Sequence, residues 1–385
     1  MSARSLPRRF VRDTAEITGG LLAANIGDVI NITIMALFLV FFREHPEALA
    51  VLPGLANMRG SIYTSLASRV STNLHLGSYR TAYRDVVKNE WSNGLTLSFS
   101  NSIIVGFLAG FFSGISIPLT IAISIVSTII SWTIMMPGTV LLSVLFFKKG
   151  VDPDKVAAPV ITVLGDGVTI PSLAAATIAG WWLVKHPLIL MALISGVLTI
   201  VTTVLTLNKE SRSIFIQTMS SLFIVSVIES ITGAILARWS SKILEKKGLL
   251  PLYPSFLEDV GAVAAVVAAK TSTLSYLGVT GGKAYKFSLE EIILFLEAHI
   301  AMFPTMIILP LINKAYTNIP LISMTLAVFT AALIVAVIGS LLSNILVKAT
   351  YNKEIDPDNT ILPMITGITD LAGTIVLPIT AMILI

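Results

Sequence analysis

The chain has 385 residues, of which 55% are hydrophobic and only 12% charged, against about 25% charged in an ordinary soluble domain. A mean hydropathy of +0.86 excludes a water-soluble globular protein and leaves room for roughly ten to twelve helical spans of about 20 residues. The absence of cysteine excludes disulfides and thiolate chemistry, the presence of only 4 His argues against a histidine metal cage, and the +4 net charge does not point to nucleic acid.

In chain order, a basic start (Arg4, Arg8, Arg9, Arg12) leads into a first apolar run at 17–42. That run is too long for a signal-peptide core and holds Asn25, Asp28 and Asn31, so it reads as a span. Further runs follow at 53–76, 92–113, 117–147, 159–182, 188–207, 213–240, 254–278, 288–312, 320–347 and 361–385. The fourth and tenth exceed a simple crossing, which predicts tilt or a kink, with Pro137 placed to kink the fourth. Long continuous runs suit helices and not a β-barrel. The expected fold is therefore an all-α polytopic membrane protein with about 11 transmembrane helices. With the N-terminus inside, inner segments hold 16 Lys/Arg and outer segments 7, while Arg59, Arg69 and Lys270 stay within spans. This predicts a multi-pass plasma-membrane protein in the lipid bilayer, N-terminus cytoplasmic and C-terminus extracytoplasmic. The segment from Arg238 to Lys247 counts against that orientation unless it extends as a helix beyond the outer surface.

The sequence repeats itself. Asp152-Pro153-Asp154, Pro159, Ile161, Thr162 and Asp166 recur 204 residues later as Asp356-Pro357-Asp358, Pro363, Ile365, Thr366 and Asp370. At an offset of 201, Pro53, Gly60, Ser71, Thr72, Leu76 and Gly77 meet Pro254, Gly261, Ser272, Thr273, Leu277 and Gly278. Arg69 meets Lys270 and Asp28 meets Glu229 at that same offset of 201. Two matches in the same order predict two five-span units. The expected organisation is a cytoplasmic segment 1–16, a first unit 17–182, a linker helix with its flanks 183–212 and a second unit 213–385. An unpaired linker span makes the two units parallel, related by a pseudo-two-fold axis along the membrane normal. One chain then imitates a symmetric dimer, so a monomer is expected.

Carboxylates at membrane depth are functional candidates by default. Asp166 and Asp370 stand out because each follows a Pro-x-Ile-Thr frame by the same spacing. Pro159 and Pro363 suit a first helical turn, which puts each Asp about 10 Å further along on the same face. Facing each other across a central pathway, two such carboxylates need a cation or a shared proton. Thr162 and Thr366 stand ready to hold the ion's waters. Asp28 and Glu229, also repeat-equivalent, are further candidates for a metal site or for helix-to-helix hydrogen bonds. Glu258-Asp259 is expected at the outer end of its span, in a vestibule, and Arg69 is expected to snorkel. Asp152, Asp154, Asp356 and Asp358 form an inner acidic vestibule or favour the helix dipole.

The stretches Pro-Val-Ile-Thr-Val-Leu-Gly-Asp (159–166) and Pro-Met-Ile-Thr-Gly-Ile-Thr-Asp (363–370) resemble the last membrane helix of the MgtE magnesium transporters. Ala67-Ser68-Arg69-Val70-Ser71-Thr72 after Gly60 is similar to the second helix of the duplicated, solute-carrier-like branch of that family. The resemblance implies a Mg²⁺ pathway with Asp166 and Asp370 as the ion site, and no enzymatic activity. Other divalent cations as cargo and Na⁺ as a coupling ion stay open as candidates. Only about sixteen residues precede the first span, so the cytoplasmic regulatory domains of single-unit members are expected to be absent. Mg²⁺ is hard and is typically held by one or two carboxylates plus waters, which suits an Asp–Thr set without Cys. Two other readings compete. A Na⁺- or H⁺-coupled carrier of another cation or small solute would need a larger polar lining. An intramembrane aspartyl enzyme would need its two Asp in unlike environments.

Overall fold

A computed structural model describes residues 6–75, 83–149, 153–245, 248–278, 286–353 and 357–385. Among them every regular element is helical. The helices are α1 (Leu6–Leu37), α2 (Leu39–Glu44), α3 (Pro46–His75), α4 (Tyr83–Ser113), α5 (Ile117–Lys148) and α6 (Pro153–Val184). They continue as α7 (Pro187–Leu207), α8 (Lys209–Glu245), α9 (Leu249–Tyr276), α10 (Leu289–Asn313), α11 (Leu321–Tyr351) and α12 (Pro357–Leu384).

Ten of the eleven apolar runs each lie on one long helix, while the first, 17–42, is divided at Phe38 between α1 and α2. Among the described residues ten helices are long and apolar enough to cross a membrane. The chain is thus a polytopic helical membrane protein. The run at 53–76 lies on α3, which at 30 residues is long enough to cross but carries Glu47, Arg59 and Arg69. Pro137 sits inside α5, which continues on both sides of it.

Several helices begin earlier than their apolar runs, α6 and α12 among them. α6 starts at Pro153 and α12 at Pro357, the prolines of the two Asp-Pro-Asp triplets. A proline ring fixes the helical φ and its missing N–H is one that a first turn leaves unbonded. Pro159 and Pro363 therefore lie within the helices and not in the first turn that their spacing predicts. α9 also starts early, after Gly248 at φ +80. Asp259 is then about 15 Å into the helix at 1.5 Å per residue, not at its end. It is 1% exposed, so the expected outer vestibule is a buried position. At the other end, Gly278 at φ +68 donates its N–H to the Ser275 carbonyl at 3.0 Å and stops the helix. Gly278 is the repeat partner of Gly77, which lies outside the described residues.

The helices form two compact units, one of Met1–Leu39 with Ser241–Ile385 and one of Val40–Ser240. In the first unit α1 packs on α9 and α10, while α12 packs on α9 and α11. In the second, α3 packs on α4, α5 and α6, and α7 lies against α4 and α6. α8 joins that second unit through Gly233, where an added Cβ would run into the Ala50 carbonyl of α3. The division between packed units thus differs from the division between sequence repeats. By the repeat bounds expected from the sequence, each packed unit takes its opening helix from the other repeat.

The Gly233 contact is against backbone, which cannot yield. We expect Gly233→Ala to destabilise the protein by about 1–3 kcal/mol, the range for overpacking. Gly196 on α7 has nothing within 4 Å of a built Cβ, so Gly196→Ala should be neutral or slightly stabilising. Thermal unfolding of the two variants in detergent checks the contrast.

A buried ion pair fixes the start of α10. Lys348 Nζ of α11 lies 3.0 Å from Glu291 Oε1, with side-chain exposures of 2% and 0%. The same ammonium donates to the Lys286 carbonyl at 2.6 Å. Glu291 also accepts from the Ser288 N–H at 2.6 Å, closing a capping box with the Ser288 hydroxyl. Lys348→Met leaves Glu291 buried without its cation and is expected to cost about 3–5 kcal/mol. Chemical denaturation of that variant against wild type measures it.

Candidate cation site

Thr366 and Asp370 are separated by one helical turn of α12 and so share a face. That face meets α9 at Gly261. A Cβ built there would lie 3.5 Å from Thr369 Oγ1, 3.9 Å from Asp370 Oδ1 and 3.9 Å from Thr366 Cγ2. The Asp370 carboxylate therefore lies over bare backbone of α9. α12 is held close by further small residues. A Cβ at Gly339 of α11 would meet Thr369 Cγ2 at 2.5 Å, and one at Gly373 would meet the Leu257 side chain.

Neighbouring hydroxyls are used to lock the helix. Thr369 donates back to the Ile365 and Thr366 carbonyls at 3.0 and 2.7 Å. Thr374 donates to the Asp370 carbonyl at 2.6 Å and shares a 2.6 Å bond with Tyr253 of α9. Asp370 and Thr366 are both half-buried. The face thus offers one carboxylate and one hydroxyl beside a glycine, a set that can hold a hydrated hard cation through its waters.

In the other unit, Asp166 and Thr162 lie on α6 at the positions that match Asp370 and Thr366, but their side chains lie outside the described residues. Asp166 is the fourteenth residue from Pro153, as Asp370 is from Pro357. Six residues beyond Asp166, Ser172 bonds Ser127 of α5 at 3.2 Å. Ser127 in turn accepts from the buried Arg59 at 2.6 Å.

Asp28 and Glu229 are both buried, at 2% and 1% exposure. Glu229 accepts from Asn57 at 3.1 Å, and Ser226, one turn earlier on α8, donates to Asn101 at 3.0 Å. Asp28 accepts from Asn25 at 2.6 Å, and the same amide nitrogen reaches Asp259 at 3.3 Å. Composition alone did not point to Asn25, Asn57 or the pairing of Asp28 with Asp259. The repeat carried a signal for it, since the 201-residue shift puts Met58 opposite Asp259 and Asn57 opposite Glu258. Arg69 does not snorkel. Its Nε lies 3.0 and 3.1 Å from the two oxygens of the buried Glu90 on α4. Among the described residues no group of three or more His, Asp or Glu converges as a metal cage.

The MgtE family, described as divalent cation transporters, matches residues 52–176 and again 253–380. The chain belongs to the MgtE family. The two matched stretches begin 201 residues apart and end 204 apart, the offsets of the internal repeat. Both contain their Asp: Asp166 in the first and Asp370 in the second. Solute carrier family 41 member 3 of Rattus norvegicus is 23% identical over 378 residues, covering 86% of this chain and 78% of that protein. Its Mus musculus counterpart is 23% identical over 371 residues, covering 86% of this chain and 74% of its own length. No solved structure matches the chain. Family membership makes this MgtE chain a divalent cation transporter and not an enzyme.

Proposed function

We propose that this MgtE protein carries Mg²⁺ across the plasma membrane, with Asp166 and Asp370 as the carboxylate ligands and Thr162 and Thr366 holding the ion's waters. The reading rests on one observation above the others. The same Pro-x-Ile-Thr-x-x-x-Asp frame stands at the same helical register in both family-matched stretches. Mg²⁺ dehydrates reluctantly and favours one or two carboxylates with several retained waters. The chain has no Cys and four His, a poor set for Cu(I) or Zn²⁺. The Lys/Arg distribution supports a cytoplasmic N-terminus and a C-terminus outside. Duplication within one chain supports a working monomer.

Flux into liposomes containing a Mg²⁺ indicator tests this reading, with Mn²⁺, Ca²⁺ and Co²⁺ as competitors. Mg²⁺ entry above protein-free liposomes is the expected result, and absence of any divalent entry would overturn it. Repeating the assay with an outward and an inward Na⁺ gradient separates channel-like flow, which ignores the gradient, from coupled exchange, which follows its sign.

A further inference from the structure

We propose that Asp28, Asp259, Asn25 and Ser255 form a second site for one hard divalent cation, buried between α1 and α9 and separate from Asp370. One Asn25 amide nitrogen lies 2.6 Å from Asp28 Oδ2 and 3.3 Å from Asp259 Oδ2. The two carboxylates, 2% and 1% exposed, are therefore within about 6 Å of each other, close enough for one cation to bridge them. Among the described residues, no Lys, Arg or His ion pair reaches either of them. Two carboxyl groups in such a space need a bridging cation or a shared proton.

The atoms left over indicate which of the two it is. Asp28 Oδ1 and Asn25 Oδ1 are buried and make no hydrogen bond within ordinary distance. Ser255 is 0% exposed and its hydroxyl faces Asp28. Ser255 and Asp259 are one turn apart on α9, and Asn25 and Asp28 nearly one turn apart on α1, so all four converge. The Thr305 hydroxyl of α10 faces Asp259 from a third side. The set is rich in oxygen acceptors and has one amide donor. A proton satisfies one acceptor, whereas a cation satisfies several. Rotating the Asn25 amide by half a turn exchanges its nitrogen for its oxygen and completes an oxygen shell.

This site is not the Asp370 site. Asp259 and Gly261 are two positions apart on α9, about 200° around the helix, so the acid pair and Asp370 flank opposite faces. Nor does it recur in the other unit. There the 201-residue shift puts Gly54 for Ser255 and Met58 for Asp259, and the Glu229 carboxylate is bonded to Asn57. The pair is thus a one-sided device in a duplicated protein, and it points to a bound ion that holds α1 against α9.

The experiment counts Mn²⁺ bound to the full-length protein in detergent, from the free-ion resonance signal, with Mg²⁺ as competitor. Asp259→Met, which installs the residue of the other repeat, is expected to lose one ion per chain that Asp166→Asn/Asp370→Asn retains. An unchanged count in both Asp259→Met and Asp28→Asn would overturn the site and leave a proton-sharing pair. Loss of that ion in Asp166→Asn/Asp370→Asn alone would overturn it equally. Ser255→Ala keeps both charges and is expected to weaken the ion about tenfold, as loss of a supporting oxygen does. An unchanged dissociation constant in that variant also overturns the proposal.

Discussion

Replacing Asp166 and Asp370 together by Asn is expected to abolish Mg²⁺ flux into proteoliposomes while the protein keeps its helix content and elution volume. Asn matches Asp in shape, so the packing of α12 against Gly261, Gly339 and Leu257 survives the change. What is lost is the negative charge that stabilises a hard cation in a low-dielectric path. Losing a group that supports a bound metal costs about 10–100-fold in affinity or activity, and a direct carboxylate ligand stands at the upper end of that range. Each single Asn variant should therefore fall to about a hundredth of wild type, and the double variant to background. The protein's tight backbone contacts at Gly339 and Gly373 do not involve either carboxylate, so unfolding temperatures should stay near wild type. Undiminished flux in the double variant would remove both Asp from the ion path.

The elements were legible because a long apolar run without charge has one stable form in a bilayer. Ten of the eleven runs each lie on one helix, and the offsets of 201 and 204 that mark the repeat return in the two family-matched stretches. The helix starts were less legible. Asp-Pro-Asp reads as a loop by composition, yet its proline opens α6 and α12 because a first turn does not use the missing N–H. The exchange of opening helices was hidden for a different reason. Whether α1 packs on α9 or on α3 depends on which side chains meet across the contact, and no periodicity along α1 records that. The one trace was local. Asp259 replaces Met58 in the repeat alignment, an acid where its partner is apolar, and the structure puts that acid beside Asp28. The same holds for Arg59, whose repeat partner is Val260. Its charge lies buried against Ser127, and α3, where it stands, is the one apolar run not on a helix apolar enough to count as a span.

Gly261→Leu is expected to reduce Mg²⁺ flux at least about tenfold, whereas Gly261→Ala should keep most of it. The distinction follows from distance. A Cβ at this position would sit 3.5 Å from Thr369 Oγ1 and 3.9 Å from Asp370 Oδ1 and Thr366 Cγ2, which is ordinary van der Waals contact. Ala therefore fits, and its helix propensity exceeds that of Gly by about 0.8–1.0 kcal/mol. Leu adds three further carbons pointed at the carboxylate. They displace the waters through which a hydrated Mg²⁺ reaches Asp370 and put apolar surface where the ion needs oxygen. Inserting methylenes into a packed site costs about 1–3 kcal/mol, and three added carbons stand in the upper part of that range, about tenfold or more in an ion's occupancy at about 1.4 kcal/mol per tenfold. Flux and unfolding temperature measured on the same preparations separate obstruction from misfolding. Equal flux in the Ala and Leu variants would mean that the ion does not pass the Gly261 face of α9.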